Sequence, residues 1–303
     1  MPEEVLWLNG AFVPAADARL PVLDHALQFG AGLFETFRTW DGQAALLARH
    51  LARLRAGCRA YRIEAGPQSL LPRAETQVPR ILRELLQRHD CDDAVFRYTL
   101  TAGVAPPGLP AAPYRHPSEM IVLRPLPAPP AGGWTLHLLA TSRGAAETVP
   151  RPKSLQYGNA LMGRWEMLDR GLVAAGNEGL MLTPDGWLAE GVTSNVFLVR
   201  EGRLCTPALD LGVLPGVVRG VVLELAKAEN LPVGEGSFPS DWLAQAEMVF
   251  LTSGTLGLAP VQAVRDATGR LMGTPGTADH PLFQRLAARF RSLCIGPMPA
   301  GGG

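Results

Sequence analysis

Lysine is almost missing from this chain. Of 28 basic residues among 303, two are lysines, Lys153 and Lys227, and the rest are arginines. Other scarcities bound what the chain can be. No apolar run approaches the roughly 20 residues of a membrane helix, so no membrane partner is expected. Basic and acidic residues number 28 each, for a formal net charge of +0, and without a basic excess there is no electrostatic footprint for nucleic acid. The cysteines Cys58, Cys91, Cys205 and Cys294 are scattered, with neither metal-site nor redox spacing. The histidines are equally dispersed, with no metal-binding pair at helical spacing, so no metal is expected. The opening MPEEVLWLNG is acidic and lacks the basic start and long apolar stretch of a secretory signal. Reduced thiols and a cytoplasmic location follow as expectations.

Against that background the two lysines stand out. Lys227 lies in GVVLELAKAENL, whose apolar residues recur at helical spacing; a lysine late in an amphipathic helix faces water, and it is assigned no role. Lys153 lies in RPKSLQYGN, between Pro152 and Ser154. Charge alone does not explain it, since arginine carries charge more reliably. An amine can lose its proton and attack a carbonyl carbon to form a Schiff base, which a guanidinium cannot do. The plain alternative is a solvated loop residue.

The chain divides once by composition. Residues 122–133, VLRPLPAPPAGG, form a Pro/Gly-rich connector that cannot continue a helix. It separates a small amino-terminal domain, 1–121, from a larger carboxy-terminal one, 134–295, with a tail, 296–303, expected to be disordered. In the first half VLWLNGAFVP predicts a hairpin turning at Asn9-Gly10, and GLFETFRTWDGQAALL a second turning at Asp41-Gly42. ARHLARLRAGCRAYRI predicts a helix with Leu51, Leu54, Cys58 and Tyr61 on one face, RILRELLQRH a second helix, and DAVFRYTLTAG a strand. In the second half SLQYGNALMGRWEMLDRG predicts a helix, EGLMLTPDGWLAEGVTSNVFLVREGRLCTP a run of short strands, PGVVRGVVLELAKAENL a helix, and EMVFLTSGTLGLAPVQAV a strand, a turn and a strand. The fold class is therefore mixed α/β (α+β).

A Schiff-base lysine needs an anchor for its partner and something to tune the partner's electronics. VLPGVVRG, residues 213–220, puts a glycine and backbone N–H groups at a helix opening, a natural phosphate seat. LTSGTLG, residues 251–257, offers hydroxyls around Gly254, and Arg53 could add a bidentate charge. Glu190, in GWLAEGVTSNVFLV, sits amid strand-forming apolar residues, where an unpaired carboxylate is costly. It either faces outward on a half-exposed strand or pairs with a protonated ring nitrogen.

LDHALQFGAGLFETFRTWDG, HLARL, Lys153 with Tyr157 and Asn159, LAEGVTSNVF, TPALDLGVLPGVVR and LTSGTLGLAPV, in unbroken order over roughly residues 5–265, together resemble the class IV (fold type IV) pyridoxal-phosphate enzymes. That family comprises branched-chain aminotransferases, D-amino-acid aminotransferases and 4-amino-4-deoxychorismate lyases. The resemblance implies a small α/β domain, a larger pseudo-barrel domain, pyridoxal 5'-phosphate as cofactor, a small-molecule amino substrate and a homodimer. Carried over by motif, Lys153 matches the Schiff-base lysine and catalytic base, Glu190 the carboxylate facing the pyridine nitrogen, and Arg53 the phosphate arginine. Leu214 matches the apolar residue against the ring; Gly216, Val217 and Val218 match the phosphate-binding helix opening. Thr255 matches the phosphate threonine, and Tyr157 a residue near the ring hydroxyl.

The branch is read from the substrate-facing blocks. The stretch GVAPPGLP lacks the Arg-x-His pair of D-amino-acid aminotransferases, and Phe34 stands where they carry tyrosine. FETFR, YGN and GTLG depart from the branched-chain forms. The GLFETFR and FRYTLTAG forms with Lys-x-x-x-Tyr-x-Asn look most like bacterial aminodeoxychorismate lyases of the Gram-positive type. That implies release of pyruvate to leave p-aminobenzoate, with Phe34, Thr36, Arg38 and Arg97 as candidate substrate contacts. Strand alternation alone also explains Phe34 and Thr36 on one face and Glu35 and Phe37 on the other. The alternatives are an aminotransferase of branched-chain L-amino acids or of D-amino acids, and a non-catalytic protein that binds the cofactor or phosphorylated metabolites.

Overall fold

The computed structural model describes residues 4–66, 68–130, 133–145, 148–276 and 278–295. The tail expected to be disordered, 296–303, lies outside the described residues. The chain forms two compact units.

The first unit lies within Met1–Leu126 and also takes Pro152–Gln156 and the chain from Leu293. Its elements are β1 (Val5–Leu8), β2 (Ala11–Pro14), α1 (His25–Phe29), β3 (Gly32–Trp40), β4 (Gln43–Ala44), α2 (Leu47–Ala60), α3 (Ala74–Arg88), β5 (Val95–Thr101) and β6 (Glu119–Arg124). The strands form one sheet in the order β2-β1-β6-β5-β3-β4. The turns form where the sequence predicts them: Asn9, Gly10, Asp41 and Gly42 all have positive φ, the conformation that a tight hairpin demands and that Asn, Asp and Gly tolerate. Helix α2 buries Leu51, Leu54 and Cys58, as the periodicity predicts, while Tyr61 packs against the core just past the helix end.

Register divides β3 by face. Phe34 lies opposite Thr99 and Thr36 opposite Arg97, whereas Leu33, Glu35 and Phe37 lie opposite Leu100, Tyr98 and Phe96. Leu33, Phe37, Phe96, Tyr98 and Leu100 belong to the core with residues of α2 and α3. Glu35 therefore occupies a core-facing position and is 1% exposed.

The second unit comprises Pro127–Arg151 and Tyr157–Ser292. Its strands are β7 (Trp134–Leu138), β8 (Asn177–Leu182), β9 (Leu188–Gly191), β10 (Asn195–Arg200), β11 (Arg203–Pro207), β12 (Val233–Gly236), β13 (Met248–Ser253), β14 (Gly257–Arg265) and β15 (Leu271–Gly273). Its helices are α4 (Gly158–Asp169), α5 (Val217–Ala228) and α6 (Pro281–Ile295), the last residues of which fall in the first unit. The sheet runs β12-β11-β10-β13-β14-β7-β8-β9, with β15 paired to β14. The short turn after β9 returns the chain to β10 in mid-sheet, so β9 at the end of the order also lies against β10 and the sheet curls into a half-barrel. Among the described residues no helix is long and apolar enough to cross a membrane.

Three boundaries differ from the expectation. Residues 122–124, assigned by composition to the connector, end β6: Val122 and Leu123 pair with Arg97 and Phe96, and Leu123 enters the core. Pro125 follows and removes the next ladder donor. Residues 152–156, expected in the carboxy-terminal domain, join the first unit because Leu155 N–H donates to Gly32 O at 2.9 Å and Phe34 N–H to Lys153 O at 3.0 Å. For the same reason the helix predicted from Ser154 starts later, at Gly158.

Candidate active site

The first unit holds Lys153 by its main chain. The pairing with β3 sets the lysine beside the start of that strand, with Ser154 bridged to Leu33. Its Nζ stands 4.6 Å from the centroid of the Phe34 ring, and the Arg97 guanidinium carbon stands 3.6 Å from the same centroid. Two cations against one aromatic ring are favourable through the ring quadrupole. Arg97 is steadied from its own strand, its Nε donating to Thr99 Oγ1 at 3.3 Å. Thr36 lies opposite Arg97. Phe34, Thr36, Arg97 and Lys153 are thus brought together on one side of the sheet. Arg38 continues the alternation but stacks its guanidinium 4.1 Å over the Trp40 ring, towards the hairpin end.

Arg53 projects from α2 onto the other face of β3. Its Nε donates to Glu35 Oε1 at 2.8 Å and its Nη2 to Oε2 at 2.6 Å, while His50 Nδ1 donates to Oε2 at 2.7 Å. Burial pushes the Glu35 carboxyl up, but the charge and hydrogen bonds of Arg53, with those of His50, outweigh it and hold the group at about 2. His50 moves below its ordinary value, chiefly through burial and against the pull of Glu35; the charges of Arg53 and Lys153 add to the lowering. Lys153 and Arg53 are therefore both within electrostatic reach of His50.

A stability prediction follows from Glu35. Its folded value lies below the ordinary 4.5. Its contribution, on the order of 3 kcal/mol, is therefore present above the ordinary value and lost as pH falls towards the folded one. Denaturant unfolding of wild type and Glu35→Gln across that window should show the stability gap between them closing on acidification. A gap independent of pH would refute it.

In the second unit Glu190, on β9, is 4% exposed, so it does not face outward on a half-exposed strand. Arg151 Nη2 donates to its Oε1, Arg143 Nη1 stands 3.5 Å from the same oxygen, and Leu214 N–H donates to Oε2 at 2.8 Å. Burial pushes the Arg143 guanidinium down, and Arg151 beside it adds to that, while Glu190 and Tyr157 oppose. Tyr157 immediately precedes α4 and packs against Leu139, Met181 and their neighbours.

The opening of α5 is tied to the strands. Leu214 O accepts from Asn195 Nδ2 at 3.0 Å and from Gly216 N–H at 2.8 Å. Gly216 is the N-cap of α5, and the amides of Val217 and Val218 follow it, in the first turn, where helix donors lack intrahelical acceptors. A Cβ on Gly216 would stand 2.0 Å from Asn195 Oδ1. Gly216→Ala should therefore displace Asn195 and cost about 1–3 kcal/mol, read by denaturant unfolding; an unchanged midpoint would contradict the crowding. Thr255 lies in the turn between β13 and β14, half-buried, where Ser253 Oγ accepts from Leu256 N–H at 3.1 Å. Thr252 Oγ1 next to it is buried with no hydrogen-bond partner among the described residues.

A family model described as amino-transferase class IV matches residues 32–264. The chain belongs to the class IV aminotransferases. It is 32% identical over 290 residues to the aminodeoxychorismate lyase of Bacillus subtilis, covering 93% of this chain and 94% of that one. The solved branched-chain amino acid aminotransferase of Escherichia coli is 26% identical with a TM-score of 0.80, over 97% of this chain and 95% of that one. The T.th. branched-chain amino acid aminotransferase, solved with pyridoxamine 5'-phosphate, is 25% identical with a TM-score of 0.77, over 97% and 95%. The mixed α/β fold of this class IV enzyme is thus the one that the resemblance implied.

Sequence reading passed over Glu35, His50, Arg143, Arg151 and Asn195. For Glu35 a signal existed: an acid alternating with Leu33 and Phe37 predicts a buried carboxylate in need of a partner. For Arg143 and Arg151 none did, because arginine is this chain's default cation.

Proposed function

We propose that this class IV enzyme carries pyridoxal 5'-phosphate on Lys153 and acts as a 4-amino-4-deoxychorismate lyase. The observation that carries the chemistry is Lys153, fixed through its main chain against β3 with its amine over the Phe34 ring. The residues present fit the cofactor. Glu190 is a buried carboxylate already surrounded by N–H donors, Gly216 opens α5 with the first-turn amides of Val217 and Val218 after it, and Thr252 keeps a buried hydroxyl without a partner among the described residues.

When bound, the cofactor supplies an aldehyde for the amine and an electron-withdrawing ring. Glu190 would face the ring nitrogen, with Leu214 against the ring and Tyr157 near its hydroxyl. Arg53, Thr255 and the amides of Val217 and Val218 would hold the phosphate. Lys153 Nζ takes the proton from the substrate carbon that bears the amine. In aminodeoxychorismate, loss of that proton aromatises the ring as the ether C–O bond breaks and its electron pair leaves with the enolate; the enolate takes up a proton on carbon and becomes pyruvate. Phe34, Thr36, Arg38 and Arg97 are the proposed substrate contacts.

Likeness to the Bacillus lyase over nearly the whole length of both chains supports the lyase, and the two aminotransferase structures keep transamination as the second reading. Purified enzyme given aminodeoxychorismate should release p-aminobenzoate and pyruvate. Faster conversion of the cofactor to its amine form by leucine or D-alanine would overturn the lyase in favour of an aminotransferase.

A homodimer is part of this reading. Helix α4 turns Leu161, Met162, Trp165 and Leu168 outward, between 47% and 53% exposed, a contiguous apolar face of the kind that marks an interface. Sedimentation should give a dimer, and Trp165→Glu should shift it towards monomer; a monomeric wild type would refute it.

A further inference from the structure

We propose that Glu35, itself held by His50, is the positioning residue that sets the plane of the Arg53 guanidinium for an incoming phosphate. The inference rests on the reading of Arg53 as the phosphate arginine and adds what aims it.

The arrangement begins with spacing. His50 and Arg53 stand three apart on α2 and so share a face; Glu35 occupies the core-facing side of β3 opposite Tyr98. The carboxylate meets the guanidinium through two parallel hydrogen bonds, Nε to Oε1 at 2.8 Å and Nη2 to Oε2 at 2.6 Å. A two-point contact fixes the orientation of a planar guanidinium as well as its place. The imidazole closes the far side: Nδ1 donates to Oε2 at 2.7 Å, and its ring centroid lies 5.3 Å from that of Phe37. Glu35 and His50 side chains are 1% and 2% exposed, and that of Arg53 is 13% exposed. The group is thus enclosed behind, and Arg53 is its least buried member.

Stability alone does not account for it. A buried ion pair returns little or nothing relative to well-packed apolar side chains, and Leu33 and Phe37 on either side show that this face accepts apolar residues. What an apolar residue cannot do is hold an arginine, whose side chain otherwise carries about 2 kcal/mol of rotamer entropy. Fixing that entropy during folding spares it when a phosphate binds.

The test compares affinities of the full-length apoprotein for pyridoxal 5'-phosphate and for pyridoxal, which share the aldehyde and ring and differ in the phosphate. Glu35→Gln should weaken pyridoxal phosphate by about 3- to 10-fold and leave pyridoxal unchanged. In an Arg53→Lys background, Glu35→Gln should alter the ratio of the two affinities no further. Equal weakening of both ligands, or no change in either, would overturn the proposal and leave Glu35 as a packing residue. If Arg53→Lys by itself leaves the ratio unchanged, the phosphate reading of Arg53 fails and this inference with it. His50→Asn should move the ratio in the same direction as Glu35→Gln, and it decides the question if Glu35→Gln does not fold; an unmoved ratio there counts against the proposal.

Discussion

Replacing Lys153 by alanine should abolish both the visible absorbance of the purified protein and its turnover, the latter by about 10³-fold or more. The side chain would be at once the attachment point of the cofactor and the base at the substrate carbon. Its removal takes away two functions that nothing else on β3 supplies. The fold should survive, because the contacts holding this segment are made by the main chain: Lys153 O accepts from Phe34 N–H and Leu155 N–H donates to Gly32 O. Lys153→Arg should fail equally. It restores the charge and the approach to Phe34 but not an amine that can attack an aldehyde. Release of p-aminobenzoate, absorbance spectra and thermal unfolding of the apoproteins check the three statements separately. A coloured Lys153→Ala protein with substantial turnover would remove the basis of the proposed function.

The second large effect is expected at Glu190. Glu190→Ala leaves the Arg151 and Arg143 guanidinium groups without their carboxylate and the Leu214 N–H without its acceptor, all largely buried. Breaking such a cluster from one side costs about 3–5 kcal/mol, read as a shift of the denaturant midpoint. Glu190→Gln keeps an oxygen for Leu214 and so should cost less in stability. It removes the negative charge proposed to face the ring nitrogen, and turnover should fall on the order of 10²-fold. The two variants separate roles: Ala reports the structural cluster and Gln the charge. If Glu190→Gln retained full turnover, the ring-nitrogen role would be wrong even with the cluster intact.

The two residues also differ in how they could be read beforehand. Lys153 was legible because of its setting, one of two amines in a chain that otherwise uses guanidinium and the one outside an amphipathic helical pattern, and that contrast is visible without any structure. Glu190 was legible only as an anomaly, an acid among strand formers, which fits an exposed strand position and a buried one alike. The choice depends on what covers β9. The curled sheet, which brings β9 against β10, together with Arg143, Arg151 and the turn at Leu214, buries it. No local pattern announces those partners.

Helix boundaries follow the same division. The faces of α2 and the turns at Asn9-Gly10 and Asp41-Gly42 came directly from the residues, because helical periodicity and tolerance of positive φ are properties of a few consecutive residues. Residues 154–157 read as part of the helix after them, yet Ser154 bridges to Leu33 and the helix begins only at Gly158. Leu155 N–H donates to Gly32 O, and Lys153 O accepts from Phe34 N–H, both partners more than a hundred residues earlier in the chain. That pairing, and not any local preference, carries Lys153 to Phe34.

By itself, then, the sequence determined the mixed α/β class, the turns, the helical faces and the types of residue able to do amine chemistry, since each depends on neighbours along the chain. Only the tertiary structure decided which strand holds Lys153, that Glu35 forks onto Arg53, and that Glu190 is buried between two arginines. Those are contacts between distant segments, and in a chain with 26 more basic residues beyond its two lysines, residue type could not say which charges would meet.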